Sequence, residues 1–514
     1  MKVQIAYQLK ICGEKMKGII FIITLMLSFV QPISSQNLFP KREFRGAWIA
    51  TVANIDWPSN RNATSGQKIA ELVQIFDKLK EANINAVFFQ VRTECDALYK
   101  SNFEPWSFWL TNEQGKEPEP YFDPLEFAIA EAHARGMELH AWFNPYRAVK
   151  DTGDYQRFYQ HISQTHPEWI LSFGSYKMLD PGNPDVQNYI LNVIVDVLTK
   201  YDVDGIHFDD YFYPYSPKIS NEDSLTFLKF NRGLTNIDDW RRYNINSLMK
   251  RIYQVIKAYK PYVKFGISPF GIVENKYAGT DGFNSYSIIY CDPLTWIREK
   301  SIDYVIPQLY WEIDHPKAPY RKLLPWWASV IEDRHLYIGH FSSRLMTKNY
   351  LEKGFEIGEQ IKMNRSNSNV SGSVFFSARS IYLNQGGLLD SLKNNFYKFP
   401  ALLPTMKWID SIPPNKIRDL NFQKGKDKVT LEWKEPEINS QGEKAYVYVV
   451  YRFVNQKELN LENPENIVAI LIPKKERFID KIEDKIKGEI TYIITALDRH
   501  QNESEGEMVR IVIK

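Results

Sequence analysis

Cysteine is scarce in this 514-residue chain: Cys12, Cys95 and Cys291 are the only three. Three thiols cannot build a disulfide framework, and none lies in a Cys-x-x-Cys or Cys/His cluster with zinc spacing, so no stapled scaffold and no structural metal site is expected. An excess of one charge is missing too. The 64 Lys and Arg stand against 62 Asp and Glu, a formal net charge of +2, and no basic block offers a patch that would neutralise phosphates, so nucleic acid is not an expected partner. Nucleotide-binding turns are absent: there is no Gly-x-Gly-x-x-Gly, no Walker-type loop and no Gly-x-Ser-x-Gly elbow. The apolar run Gly18 to Val30 is too short for a comfortable membrane span. Preceded by Lys15 and Lys17 and followed by Pro32-Ile-Ser-Ser-Gln36, it reads as a secretory signal peptide over residues 1–35, with Met16 a better start than Met1 and an uncleaved anchor as the alternative. The expected mature protein is an exported monomer, periplasmic, extracellular or associated with the envelope, with no membrane span.

Aromatic residues, by contrast, are abundant: 13 Trp, 30 Tyr and 30 Phe make 14% of the chain. They fill cores, and they also form flat apolar platforms for sugar rings; composition does not separate the two uses.

From Phe44 to about Ser380, short β-type runs alternate with longer amphipathic stretches. Eight strands are predicted, at Phe44 to Thr51, Ala86 to Arg92, Glu138 to Tyr146, Gly205 to Tyr211, Lys264 to Gly271, Asp303 to Trp311, Leu336 to Phe341 and Gly372 to Ser380. Helical spacing fills Gln67 to Ala82, Asp123 to Gly136 and Asp185 to Tyr201. Eight strands alternating with helices predict an α/β fold of the (β/α)8 type, a TIM barrel over residues 40–399, with a doubly wound sheet as the alternative. Pro400, Pro404, Pro413 and Pro414 mark a linker over 400–415. Residues 416–514 alternate in period two and resemble a fibronectin type III β-sandwich, with Trp433 on an early strand and Tyr492 near the start of a late one.

Catalytic groups of such a barrel sit at the carboxyl ends of its strands, on inward-pointing positions. In strand four Ile206 and Phe208 share one face, while His207 and Asp209 share the other. The same phasing turns Gln90, Arg92 and then Glu94 inward, together with His140, Trp142 and Asn144, and with Gln308, Tyr310 and Glu312. Strand eight contributes Ser377 and Arg379. Burying so many polar groups without partners would cost a few kcal/mol each, so together they favour a site over a purely structural plug.

Asp209, Asp210 and Glu312 are the candidate catalysts, because glycosidic hydrolysis needs a carboxylic acid for the leaving oxygen and a second group to attack or to activate water. Adjacent Asp209 and Asp210 point to opposite faces of a regular strand unless an irregularity at its end turns Asp210 into the mouth. Metal-dependent hydrolysis is the weaker reading: His140, His207 and His340 are available, but no ligand-pair spacing occurs and strand one carries no His-x-His. A barrel that binds carbohydrate without cleaving it is the other alternative. No cofactor is implied.

Arg45-Gly-Ala-Trp48, Phe89-Gln-Val-Arg92 with Asp96-Ala-Leu-Tyr99, Ala141-Trp-Phe-Asn-Pro-Tyr146, Asp204-Gly-Ile-His-Phe-Asp-Asp-Tyr-Phe-Tyr-Pro214, Asp239-Trp-Arg-Arg242 with Asn244, Phe265-Gly-Ile-Ser-Pro-Phe-Gly271 and Ile306-Pro-Gln-Leu-Tyr-Trp311 together resemble the glycosyl hydrolase-like 10 family, in order from Phe44 to Phe399. The resemblance implies a barrel glycosidase of the bacterial envelope or exterior; a characterised branch of that family acts on peptidoglycan glycan strands stripped of their peptides, so these or a related amino-sugar polysaccharide are the expected substrate. It implies site roles for Gln90, Arg92, Asp96, Asn144, His207, Asp209, Asp210, Gln308, Tyr310 and Trp311. Two stretches depart from the family pattern: Thr93-Glu94-Cys95, and Val273-Glu274-Asn275, which bears on a substrate subsite. The strand-four motif also resembles, loosely, that of family 18 chitinases, where one acid works with the substrate's own N-acetyl group; the Tyr310 region would then hold the acetamido group. The insert from Tyr211 to Tyr243, with Tyr213, Tyr215, Asp239, Trp240 and Arg241, would roof the cleft, or Asp239-Trp-Arg-Arg242 would open a salt-bridged helix.

Overall fold

Helix starts are set by side chains that satisfy the free N–H groups of a first turn. Thr64 accepts from the Gln67 backbone while the Gln67 side chain accepts from the Thr64 N–H, a capping box that opens Ser65–Glu81. Asp123 caps Pro124–Ala134, Asn183 caps Pro184–Lys200 and Asn236 caps Ile237–Tyr259, the first two with proline in the opening turn. Each helix returns the chain to the start of the next strand. The computed structural model describes residues 39–150, 155–346, 356–472, 476–483 and 486–513. The expected signal peptide lies outside these residues.

Eight parallel strands close into a barrel: Phe44–Ile49, Ala86–Arg92, Glu138–Phe143, Gly205–Phe208, Lys264–Ile267, Tyr304–Val305, His335–His340 and Val370–Phe375. They are numbered one to eight below. All eight predicted strands form, each within its expected stretch or a residue or two from it. Most stop short of the predicted carboxyl end, and strand six keeps only two residues, because the backbone turns into loops there.

The predicted alternation holds along the strand bodies. Val87, Phe89, Leu139, Ala141, Ile206 and Phe208 join the core shared with the helices. Phe44, Trp48, Phe88, Trp142, Tyr304, Tyr337 and Val374 form a separate cluster with the barrel interior. Large inner rings need small neighbours. A Cβ on Gly205 would meet the His140 ring at 2.2 Å, and one on Gly266 would meet the Tyr304 ring at 2.1 Å. Below these rings lies a buried ion pair, Lys264 Nζ lying 2.7 Å from both carboxylate oxygens of Glu138.

Two additions modify the barrel. Between strands three and four, Arg147–Val149, Ile170–Phe173 and Tyr176–Leu179 form a three-stranded antiparallel sheet. At the C-terminus seven strands pair as antiparallel sheets of three and four. The stretch 400–415, expected as a linker, is partly packed into the body. Leu402 exchanges backbone hydrogen bonds with Lys41 and Glu43, and Met406 N–H donates to the His500 carbonyl at 3.0 Å.

The C-terminal sheets meet the barrel at the amino ends of its strands. Arg499 pairs with Asp202 at 2.8 Å and stacks on Tyr446 at 3.7 Å, while Lys41 and Arg42 pair with Glu503 at 2.8 and 3.4 Å. Asp202 precedes strand four, seven residues before Asp209, so this contact lies on the order of 20 Å from the strand's carboxyl end. Among the described residues no helix is long and apolar enough to cross a membrane.

Candidate active site

Strand four ends at Phe208, and beyond it the two-residue alternation no longer governs direction. Asp209 keeps the inward phase. The chain then turns, with Phe212 N–H donating to the Asp210 carbonyl at 3.0 Å, and Asp210 enters the same cleft. This cleft holds about 160 Å³ at the carboxyl ends of the strands. Its aromatic walls are Trp48, Trp142, Tyr211, Tyr215, Tyr310 and Phe376, and its polar lining is Gln90, Arg147, Asp209, Asp210, Ser268 and Gln308.

Trp142 Nε1–H donates to Asp209 Oδ2 at 3.0 Å, and Tyr211 N–H donates to Oδ1 at 3.3 Å. The Tyr215 hydroxyl donates to Asp210 Oδ2. Burial pushes the Asp209 carboxyl up to about 7, helped by the charge of Asp210 and opposed by Arg147 and the Trp142 N–H. Burial pushes Asp210 up to about 6, against hydrogen bonds from Tyr215 and Gln308. Two adjacent acids near neutrality titrate as a pair, and between roughly pH 6 and 7 that pair holds one proton. One member can then donate a proton while the other carries charge, the division of labour that general acid–base chemistry requires.

The raised acids also cost stability. A carboxyl whose folded value lies above its unfolded one binds protons more tightly in the native state, so its contribution declines as pH rises from about 4 through 7. Asp209→Asn is therefore expected to be more stable than the parent at pH 8, by roughly 2–4 kcal/mol, with the gap closing towards pH 4. Thermal melts across that range check this; a gap that widens on acidification would refute it.

Beneath the cleft runs a polarised chain. Trp48 Nε1–H can only donate, so His207 Nε2 accepts at 3.1 Å and carries its own proton on Nδ1, which faces the Tyr304 hydroxyl at 3.2 Å. Tyr304 donates onward to His140 Nδ1 at 2.9 Å, and His140 Nε2–H reaches Glu138 at 3.1 Å, beside Lys264. Burial holds both imidazoles below their usual range, and hence neutral. Each member fixes the tautomer of the next, and the last fixes Trp48 as a wall of the cleft.

Of the residues singled out in the sequence, the cleft gathers Gln90, Trp142, Asp209, Asp210, Tyr211, Gln308 and Tyr310. His140 and His207 lie below it in the polarised chain. His340 bonds instead to Gln360 and Asn364, so the three histidines do not converge as one donor set. Glu312 lies outside the cleft: Gln308, bridged to strands five and seven, and Tyr310 keep the inward phase, but the chain bends at Trp311 and the phase does not carry on to 312. Arg92 is also turned away, because a register shift between Gln90 and Arg92 against strand three changes its phase. It is buried against Glu104 at 2.7 Å and the Pro145 carbonyl.

Glu94 is held by Trp109, Tyr155 and the Lys150 N–H, and Asp96 by Thr93 and the Glu94 N–H. Asn144 Oδ1 accepts from Arg147 N–H at 2.9 Å, which positions Arg147 without Asn144 lining the cleft. Trp311 packs on Phe270, and Arg379 braces the wall through the Ile55 carbonyl. In the insert, Tyr215 lines the cleft. Asp239-Trp-Arg-Arg242 follows the helix alternative: Arg242 pairs with Asp239 and Arg241 with Asp223.

Three contributors carry no signal in the strand phasing. Arg147 follows a strand that ends at Phe143, so no phase could assign it. Asp56 is fully buried and accepts from Ala50 N–H, Ser377 Oγ–H and Arg379 N–H, tying the end of strand one to that of strand eight. Phe376 closes the far wall, directly after strand eight.

A family model described as Glycosyl hydrolase-like 10 matches residues 43–356. Glycosyl hydrolase YngK of Bacillus subtilis (strain 168) is 36% identical over 517 residues, covering 97% of this chain and 99% of that protein. Glycosyl hydrolase DigH of Escherichia coli (strain K12) is 36% identical over 371 residues, 66% of this chain and 84% of that protein. Among solved structures, the PgaB (BpsB) glycoside hydrolase domain from Bordetella bronchiseptica aligns with a TM-score of 0.46 and 13% identity, over 69% of this chain and 99% of that one.

Proposed function

Because the chain belongs to the glycosyl hydrolase-like 10 family and is a glycoside hydrolase, we propose that it is exported and cleaves the glycan strands of peptidoglycan or a related amino-sugar polysaccharide, with Asp209 and Asp210 as the catalytic pair. The observation that carries the assignment of the pair is their convergence, with raised proton affinity, at the base of an aromatic-walled cleft. One carboxyl protonates the glycosidic oxygen. Its ionised neighbour attacks the anomeric carbon, activates water, or orients the substrate's own acetamido oxygen. Gln90, Gln308 and Tyr310 hold the sugar, and Trp142 fixes Asp209.

Export rests on the basic, apolar and small-residue order of residues 15–36. For the C-terminal sheets we favour a fibronectin type III-like module. Sheets of three and four strands, Trp433 against Tyr448 and the buried Tyr492 support that reading. The module clamps the amino ends of the barrel and takes no part in the chemistry.

Incubation with denuded peptidoglycan strands, chitin oligosaccharides and neutral plant glucans, followed by mass spectrometry of the products, tests the substrate class. Shortened amino-sugar oligomers with a new reducing end are expected from the first. Cleavage confined to the neutral glucans would overturn it.

A further inference from the structure

Arg147 is buried in the cleft wall, 5% exposed, and only part of its hydrogen-bonding capacity is used. Its Nε–H donates to the Thr93 carbonyl at 3.0 Å, and its guanidinium lies 5.0 Å from the centre of the Tyr211 ring. Nη2 has no hydrogen-bond partner among the described residues. Two carboxylates lie within electrostatic reach, and both are committed elsewhere. Glu94 is engaged by Trp109, Lys150 N–H, Tyr155 and Arg157, and Asp209 by Trp142 and Tyr211 N–H.

An unpaired donor on a buried cation is costly to keep, and a guanidinium held by the Thr93 carbonyl and by the ring and hydroxyl of Tyr211 has its remaining N–H groups fixed in direction. A second buried donor of the same lining lacks a partner among the described residues: Gln90 Nε2, while Gln90 Oε1 accepts from Thr51 and Val52 N–H. Two residues of the cleft lining thus each keep a buried N–H donor without a partner among the described residues, the kind of group a bound ligand's oxygen would satisfy. An acetamido or hydroxyl oxygen would satisfy them singly, whereas the planar fork of an arginine matches a carboxylate on two N–H groups at once and neutralises its charge.

We propose that Arg147 is a specificity-determining residue that binds a carboxylate carried by the sugar seated beside Asp209, so that the enzyme selects acidic glycan strands over uncharged ones. This rests on the glycosidase reading of the cleft and narrows its substrate. The carboxylate has two chemical sources, a lactyl ether on an amino sugar or the ring carboxylate of a uronic acid. Uncharged amino-sugar polymers would be poor substrates on this view.

The test compares denuded peptidoglycan strands with the same strands amidated by carbodiimide and methylamine, which removes charge and leaves the linkage intact. A polymer of alternating uronic acid and N-acetylglucosamine, acidic and amidated, forms the second arm. Both cleavage and equilibrium binding are measured. The parent enzyme is expected to favour the acidic form at least tenfold in kcat/KM or affinity, and the arm showing the preference identifies the carboxylate's source. Arg147→Gln is expected to lose that preference, treating the acidic and amidated forms alike, and Arg147→Lys to retain part of it.

Equal handling of acidic and amidated strands by the parent would overturn the proposal while leaving the glycosidase reading intact, and that comparison needs no variant to fold. Failure to bind any acidic glycan would overturn it as well. A preference seen only with the uronic acid polymer would support Arg147 as the selector and overturn peptidoglycan as the substrate. If Arg147 acts only on Asp209, Arg147→Gln will shift the pH profile equally on both forms, which also counts against carboxylate recognition.

Discussion

Asp209→Asn and Asp210→Asn are each expected to lower kcat on a cleaved glycan by about 10³-fold, within the range that positioned proton transfer contributes, while leaving KM within a fewfold. Asparagine keeps an oxygen to accept from Trp142 or Tyr215, so cleft geometry should survive while proton affinity is lost. The two variants should then part on leaving-group chemistry. An aryl glycoside with an acidic phenol needs little protonation, so the variant lacking the acid regains most of its activity there. The variant lacking the ionised partner does not.

The parent's pH profile should be a narrow bell peaking between about 6 and 7, because the shifted values put one proton on the pair only in that window. Each Asn variant should lose one limb of the bell. Full activity in both variants would dismiss the pair. A normal bell in the weaker variant would show that the limbs belong to other groups.

Much of this site could be read in advance because its residues lie on strand bodies, where alternation is enforced by two different cores. Trp142, His207 and Gln90 turn inward on that ground. The rule failed where the strand stopped. Arg92 lies across a register shift, Glu312 lies beyond the bend that follows Tyr310, and Arg147 lies in an added antiparallel sheet whose direction depends on contacts with Thr93 and Asn144. No periodicity in a single sequence reports such turns.

Aromatic content was ambiguous for a related reason. Trp48 and Trp142 face the cleft, but Trp57 donates to the Lys68 carbonyl and Trp327 to that of Gly271, in the outer core. Two pairs of indoles thus serve different layers, and the barrel's closure separates them.

The largest stability effect is expected far from the chemistry, at Glu138 and Lys264. Both are buried, 5% and 1% exposed, and Lys264 reaches both carboxylate oxygens. Glu138→Gln leaves the Lys264 ammonium in the barrel floor without its counter-charge, and Lys264→Met strands the carboxylate. Each single change is expected to cost about 3–5 kcal/mol, measured as a shift in denaturant midpoint at constant slope. The double variant should recover a large part of that loss, since two neutral side chains leave no buried charge to compensate.

The acid limb of stability carries the same signature. Lys264 and His140 hold the Glu138 carboxyl down to about 2, against the opposing effect of burial. A carboxyl lowered in the folded state adds stability above its unfolded value near 4.5, and that stability is lost as pH falls from there towards 2. Glu138→Gln should therefore flatten the parent's decline in this window. Because glutamine retains an oxygen for His140 Nε2–H, the tautomer chain up to Trp48 survives in this variant, and its kcat below the melting range should stay within a fewfold of the parent's. Glu138→Ala removes that acceptor as well, so His140 can invert its tautomer and release Tyr304 and His207 from their fixed donor order. A fall in kcat in the alanine variant but not in the glutamine one, at matched folded fraction, would tie the floor of the barrel to the wall of its cleft; equal kcat in both would confine Glu138 to stability.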